Sequence, residues 1–211
     1  MLNISYLQIT MAIAGALAVL LMMLLYLVIR KKAEQKRNSR LLFMKEKIRP
    51  LLVKEMLNGD DIELTQISED SIFTTAVEDI LKNFESNFDS SSFKRTIPET
   101  AEKYLSGSVN KGLESNRWAE RMNALMIIKD FQIYSFVPLL WERYEKSKTT
   151  PQEKNLIMQT AAGADDPRML EVLLTSPPYQ STFFYKQIIR RVPAETLNTI
   201  ILKFRDRKSV V

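Results

Sequence analysis

From Met11 to Ile29 the chain sets nineteen residues in a row without a charged side chain, and no helical periodicity gives them a polar face. At about 1.5 Å rise per residue this run extends about 29 Å as a helix, which matches the roughly 30 Å hydrocarbon core of a bilayer. The pattern predicts a transmembrane helix over residues 11–29. It then becomes amphipathic: Leu41, Met44, Ile48, Leu51 and Leu52 recur at helical spacing, and Asn58-Gly59 is a stop signal. A helix is expected from Arg30 to Asn58, kinked or restarted at Pro50.

The remaining chain reads as short helices. Asp60, Asp61, Glu63, Glu69 and Asp70 form an acidic loop, followed by a helix from Ser71 to Phe84 with Val77, Ile80, Leu81 and Phe84 on one stripe. Asn87 to Lys94, rich in serine, reads as a linker, and residues 59–95 are set apart from residues 96–211. Beyond it the spacing i, i+3, i+4, i+7 recurs in Ala124/Ile127/Ile128/Phe131, Val137/Leu140/Trp141/Tyr144, Tyr185/Ile188/Ile189/Val192 and Leu197/Ile200/Ile201/Phe204. The helix from Arg117 to Phe131 adds a second stripe, Trp118/Met122/Leu125/Met126, and is expected to be sandwiched between neighbours. Pro98, Pro138, Pro151, Pro167 and Pro193 stand where helices start, because a missing N–H costs nothing there. Thr96 with Glu99 and Thr150 with Glu153 have capping-box spacing, Asp166 is an N-cap, and Gly163 closes a helix. No stretch alternates as a strand does, so the class is all-α.

Charge sets the expected topology. Residues 1–29 carry no acidic or basic side chain, and Arg30, Lys31, Lys32, Lys36, Arg37 and Arg40 follow at once. Basic residues on one short flank hold that flank in the cytoplasm, so residues 1–10 are expected outside and residues 30–211 inside a single-pass cell-membrane protein. A cleaved signal peptide would carry its basic residues before the apolar run and a small-residue site after it; this chain has the reverse. Between Arg30 and Glu55 there are ten basic and three acidic residues, a net of +7, so residues 56–211 carry −2 of the total +5. The positive charge is a collar, residues 30–58 forming a basic juxtamembrane helix against the lipid bilayer. Ala12/Ala16 and Ala14/Ala18 have the small-xxx-small spacing of close membrane-helix pairs, which leaves homo-oligomerisation through the span open; alanine is also common in unpaired spans.

The chain has no cysteine and no histidine, which removes thiolate chemistry, the commonest general base and the commonest transition-metal ligand. The acidic pairs Asp60/Asp61, Glu69/Asp70 and Asp165/Asp166 point adjacent side chains apart, and none of the five glycines forms a phosphate-cradling loop. No catalytic, cofactor or metal site is expected. Phe183-Phe184-Tyr185-Lys186 and Arg190-Arg191 interleave aromatics with charge, yet Tyr185, Ile188 and Ile189 serve a core stripe. With the body near neutral, nucleic acid is not an expected partner.

Ala161-Ala162-Gly163-Ala164-Asp165-Asp166-Pro167-Arg168-Met169-Leu170-Glu171-Val172-Leu173-Leu174 resembles the turn and second helix of a HEAT repeat. Trp118 to Tyr144 is similar, with Pro138-Leu139-Leu140 opening the second helix, and the resemblance extends over residues 96–211. It implies an armadillo-type α-solenoid behind the transmembrane helix, and a scaffold or adaptor that binds a protein partner at the cytoplasmic face. By the same resemblance, bacterial membrane-anchored proteins of this kind work beside polysaccharide-making glycosyltransferases, while others are enzymes or nucleic-acid binders. Arg117, Arg121, Glu142 and Arg143 are the charges expected to lie exposed along a partner-binding face.

Overall fold

The computed structural model describes residues 6–59, 64, 71–87, 91–175, 182–198 and 201–202, and these residues are mostly helical with no strand among them. The helices are α1 (Tyr6–Asn58), α2 (Ser71–Asn87), α3 (Ser91–Glu114), α4 (Trp118–Asp130), α5 (Val137–Glu145), α6 (Pro151–Gly163), α7 (Pro167–Thr175) and α8 (Thr182–Ile189). Residues 194–198 are also helical. The acidic positions Asp60, Asp61, Glu63, Glu69 and Asp70, and the stripe positions Ile200 and Phe204, lie outside the described residues.

α1 is one unbroken helix of 53 residues. Its apolar N-terminal part is long enough to cross a membrane and rests on nothing: every side chain described from Tyr6 to Arg40 is exposed. From Leu41 onward one face turns inward, burying Ile48, Leu52 and Met56 against Ala76, Val77, Ile80, Leu81 and Phe84 of α2. The apolar face of the juxtamembrane helix therefore docks on the body. Pro50 leaves the helix intact because it sits on the exposed side, where water can take the carbonyl its missing N–H frees. Two polar clamps fix the docked part: Lys45 Nζ pairs with Asp79 at 2.6 Å, and Glu55 takes Lys103 Nζ and the Tyr104 hydroxyl, each at 2.6 Å. Burial and the bond to Glu55 push the Tyr104 phenol up to about 12.

The linker expected at Asn87 to Lys94 is helix from Ser91 on, and Pro98 lies inside α3 rather than at its start. Thr96 is accordingly no cap; its carbonyl accepts from the Thr100 hydroxyl at 2.8 Å. α2 packs between α1 and α3, and α4 packs on α3. One apolar cluster runs from Ile48 through Val77, Leu105 and Ile128 to Ile157, crossing the boundary placed before residue 96. A second cluster joins Val137, Trp141, Met158, Ala162, Met169, Phe184 and Ile188.

α6 lines both clusters and is the sandwiched helix, buried continuously from Leu156 to Ala162. α4, expected in that role, buries Ala124, Leu125, Ile127 and Ile128 but leaves Trp118 48% exposed and Met126 43% exposed. Along the chain, α4 packs on α6 and α6 on α8, with α5 and α7 also against α6. In the stripe of α8 Ile188 is buried, Ile189 is exposed, and Phe184 fills the core instead.

Gly163 ends α6, but the left-handed residue of that turn is Asp165, with φ 56°. Gly163 is small for another reason: a Cβ there would stand 2.7 Å from the Tyr134 hydroxyl.

Candidate functional site

The basic collar is where the spacing placed it. Arg30, Lys31, Lys32, Lys36, Arg37 and Arg40 are all exposed on α1, between the apolar segment and the first contact with the body. Because the helix is continuous, the collar is a rigid rod of positive charge.

The four charges expected on a partner-binding face separate into two pairs. Arg117 and Glu142 are exposed, Arg117 Nη1 lying 3.1 Å from Glu120 one helical turn on. Arg121 and Arg143 are not exposed face residues; both turn inward onto Glu153, whose side chain is fully buried. Arg121 Nε donates to Glu153 Oε1 at 2.7 Å, and Arg143 Nη2 donates to the same oxygen at 3.2 Å. The second oxygen, Oε2, accepts from the Thr150 backbone N–H at 2.8 Å and from its hydroxyl at 2.9 Å. Thr150 in turn caps α6 by accepting the Glu153 N–H at 3.3 Å, which completes the capping box read from the sequence.

Three further guanidinium contacts go to helix ends, while Arg143 Nε is buried without a hydrogen-bond partner among the described residues. Arg121 Nη1 donates to the carbonyls of Ser115 at 3.2 Å and Asn116 at 2.9 Å, and Arg143 Nη1 donates to Leu113 at 2.6 Å. The Trp118 indole N–H reaches the Thr150 hydroxyl at 3.3 Å, which keeps this ring at the surface edge of the knot. One carboxylate thus ties the end of α3, the start of α4, the end of α5 and the start of α6. Burial by itself would raise the Glu153 carboxyl; the bonds from Arg121 and Thr150 and the Arg121 charge outweigh it and hold the group at about 2. At neutral pH this is a permanently charged structural group, with no proton to exchange.

A groove of about 750 Å³ is lined by residues of α2, α3 and α4, among them Gly107, Ser108, Gly112 and Ala124. Its charged lining is mostly engaged elsewhere: Lys103 with Glu55, Glu78 with Lys82, and Glu120 with Arg117 and Ser115. Among the described residues no cluster of three or more acidic side chains is placed to hold a metal ion. Comparison with protein-family models, with curated proteins and with solved structures returns no significant match to this chain.

Proposed function

We propose that this protein is a membrane-anchored adaptor: a HEAT-like helical scaffold held at the cytoplasmic face by one transmembrane helix, offering its surface to a protein partner in or on the same membrane. The observation that carries the reading is α1, which runs from an exposed apolar segment long enough to span a bilayer straight into the core of the helical body. Such a helix fixes both the position and the attitude of what it carries. Confinement to the membrane raises the effective concentration of partners there, so a modest interface suffices.

Two further observations support the scaffold part. α4, α6 and α8 begin at residues 118, 151 and 182, and each packs on the next, as alternate helices of a repeat stack do. The polar knot around Glu153 closes on itself and serves helix ends, so it contributes stability rather than a reactive group. The cytoplasmic placement follows from the basic collar. It is tested by fusing reporters after Val211: a fluorescent protein that matures only in the cytoplasm is expected to light up. Activity of an export-dependent phosphatase at the same position would reverse the orientation and remove the reading.

A further inference from the structure

The side of α1 turned away from the body carries a second pattern. Lys32, Lys36, Arg40, Phe43 and Lys47 are spaced by four, four, three and four residues, so they fall within about 80° of one another around the helix. Their centre is turned by about 125° from that of the inward stripe, formed by the partly buried Leu41 and Met44 and the buried Ile48 and Leu52. All five are exposed, Phe43 by 67%. Lys45, on the inward side, pairs with Asp79; none of the four cations of the outer stripe has an ion-pair partner among the described residues. Between Arg30 and Lys47 the only acidic residues are Glu34, on the body side of the helix, and Glu46, at the margin of the stripe.

We propose that this stripe is a docking surface for an acidic, amphipathic helical segment of a protein in the same membrane, with Phe43 as the apolar anchor. The inference rests on the adaptor reading and names the chemistry of the partner. Lipid headgroups are the other polyanion at hand, and the geometry of α1 decides against them. A helix that lies on a membrane needs a break between itself and the span, and α1 has none from Tyr6 to Asn58. The stripe therefore climbs away from the bilayer. Counted from Ile29 at about 1.5 Å per residue, Lys32 stands about 4 Å up, Lys36 about 10 Å, Arg40 about 16 Å, Phe43 about 21 Å and Lys47 about 27 Å. The headgroup layer of one leaflet is only about 5 to 7 Å deep, and screening at physiological salt acts over about 8 Å. Lipid can serve Lys32 and the reach of Lys36. Arg40, Phe43 and Lys47 face water at a height that only a protein rising beside α1 can cover. An acidic helix with apolar residues on the same face matches both the charge and the exposed ring.

The test uses the full chain in zwitterionic nanodiscs and, as probe, a short fluorescein-labelled amphipathic peptide with glutamates flanking a leucine stripe, followed by anisotropy at physiological salt. Saturable binding is expected, weakened about tenfold by the triple change Lys36→Glu, Arg40→Glu, Lys47→Glu, and severalfold by Phe43→Ala. Lys148→Glu, an exposed charge on the body, is expected to leave it unchanged. Equal affinity in the triple variant overturns the proposal, as does displacement of the peptide by duplex DNA at the same salt. A polarity-sensitive fluorophore at Phe43 separates out lipid: it is expected to stay in water in vesicles rich in phosphatidylglycerol. Burial of that label in the bilayer assigns the stripe to lipid and overturns the proposal. If peptide binding fails while the reporter after Val211 remains cytoplasmic, the stripe is lost and the adaptor reading stands; an exported reporter removes both.

Discussion

Replacing Glu153 by glutamine is the most informative perturbation of the body. The two carboxylate oxygens accept from four donors: Arg121 Nε, Arg143 Nη2, and the Thr150 N–H and hydroxyl. An amide keeps one acceptor oxygen and sets an N–H₂ group against either the guanidinium groups or the Thr150 N–H. The charge loss can be sized from the carboxyl itself, held at about 2 against an ordinary value of 4.5. At about 1.4 kcal/mol per unit, that difference corresponds to roughly 3 kcal/mol of folding stability. This agrees with the roughly 3 to 5 kcal/mol lost on breaking other buried ion pairs. Because the folded-state value is depressed, the contribution is fully present above about pH 4.5 and disappears as pH falls toward 2. Urea unfolding of a fragment beginning at Lys36, which keeps every α1 residue that packs on the body, reads both quantities. Glu153→Gln is expected to lower stability by about 3 kcal/mol at pH 7 and to flatten the acid limb between pH 4.5 and 2. A loss under about 0.5 kcal/mol, or an acid limb parallel to that of the wild type, refutes the role assigned to the knot.

Three other outcomes are expected. Gly112→Ala places a Cβ 2.9 Å from that of Ala124 and 3.2 Å from the Glu120 carbonyl, so thermal melts should show a loss of about 1 to 3 kcal/mol; Gly107→Ala, with nothing within 4 Å, should gain up to about 1 kcal/mol. Trp141→Ala removes a ring that is only 5% exposed and should cost about 3 to 5 kcal/mol, whereas Trp118→Ala at 48% exposed should cost about 1 kcal/mol by the same melts. A fragment starting at residue 96 loses Ile48, Leu52, Val77, Ile80 and Leu81 from the main cluster, and circular dichroism should show it melting earlier and less cooperatively than the fragment from Lys36.

Features set by neighbours in sequence were legible in advance. The apolar run, the inward face of α1 at Ile48 and Leu52, the α2 stripe and the Thr150–Glu153 capping box all depend on residues a few positions apart. What escaped depends on distant partners. Arg121 shares a helical face with Leu125 and Ile128, and a charge on an apolar stripe signals a buried partner; its carboxylate lies 32 residues away, beyond any local pattern. Local spacing therefore sets Arg121 and Arg143 on the surface, where the fold does not. Trp118 continues the spacing of Met122 and Met126, but among the described residues no helix covers that side of α4, so Trp118 and Met126 stay exposed. Pro98 suggests a helix start because proline is usual there, while α3 accommodates it in its second turn. Gln159 and Thr160 hid the central position of α6: both are buried in the body, Gln159 donating to Asn155 and Gln187 and Thr160 to the Leu156 carbonyl.

In the anchored arrangement proposed above, the unbroken α1 makes the molecule a lever whose fulcrum is the bilayer. Membrane spans stand tilted by about 20° on average, and tilting is one way they accommodate a thinner bilayer. Glu55, the outer clamp, stands roughly 39 Å beyond Ile29 along the helix, so such a tilt sweeps it sideways by roughly 13 Å. A flexible tether would dissipate that motion. Here Lys45 and Glu55 grip α2 and α3 at two points, and the whole body swings with the span. A tilt of that size would carry the outer clamp sideways by about one helix diameter.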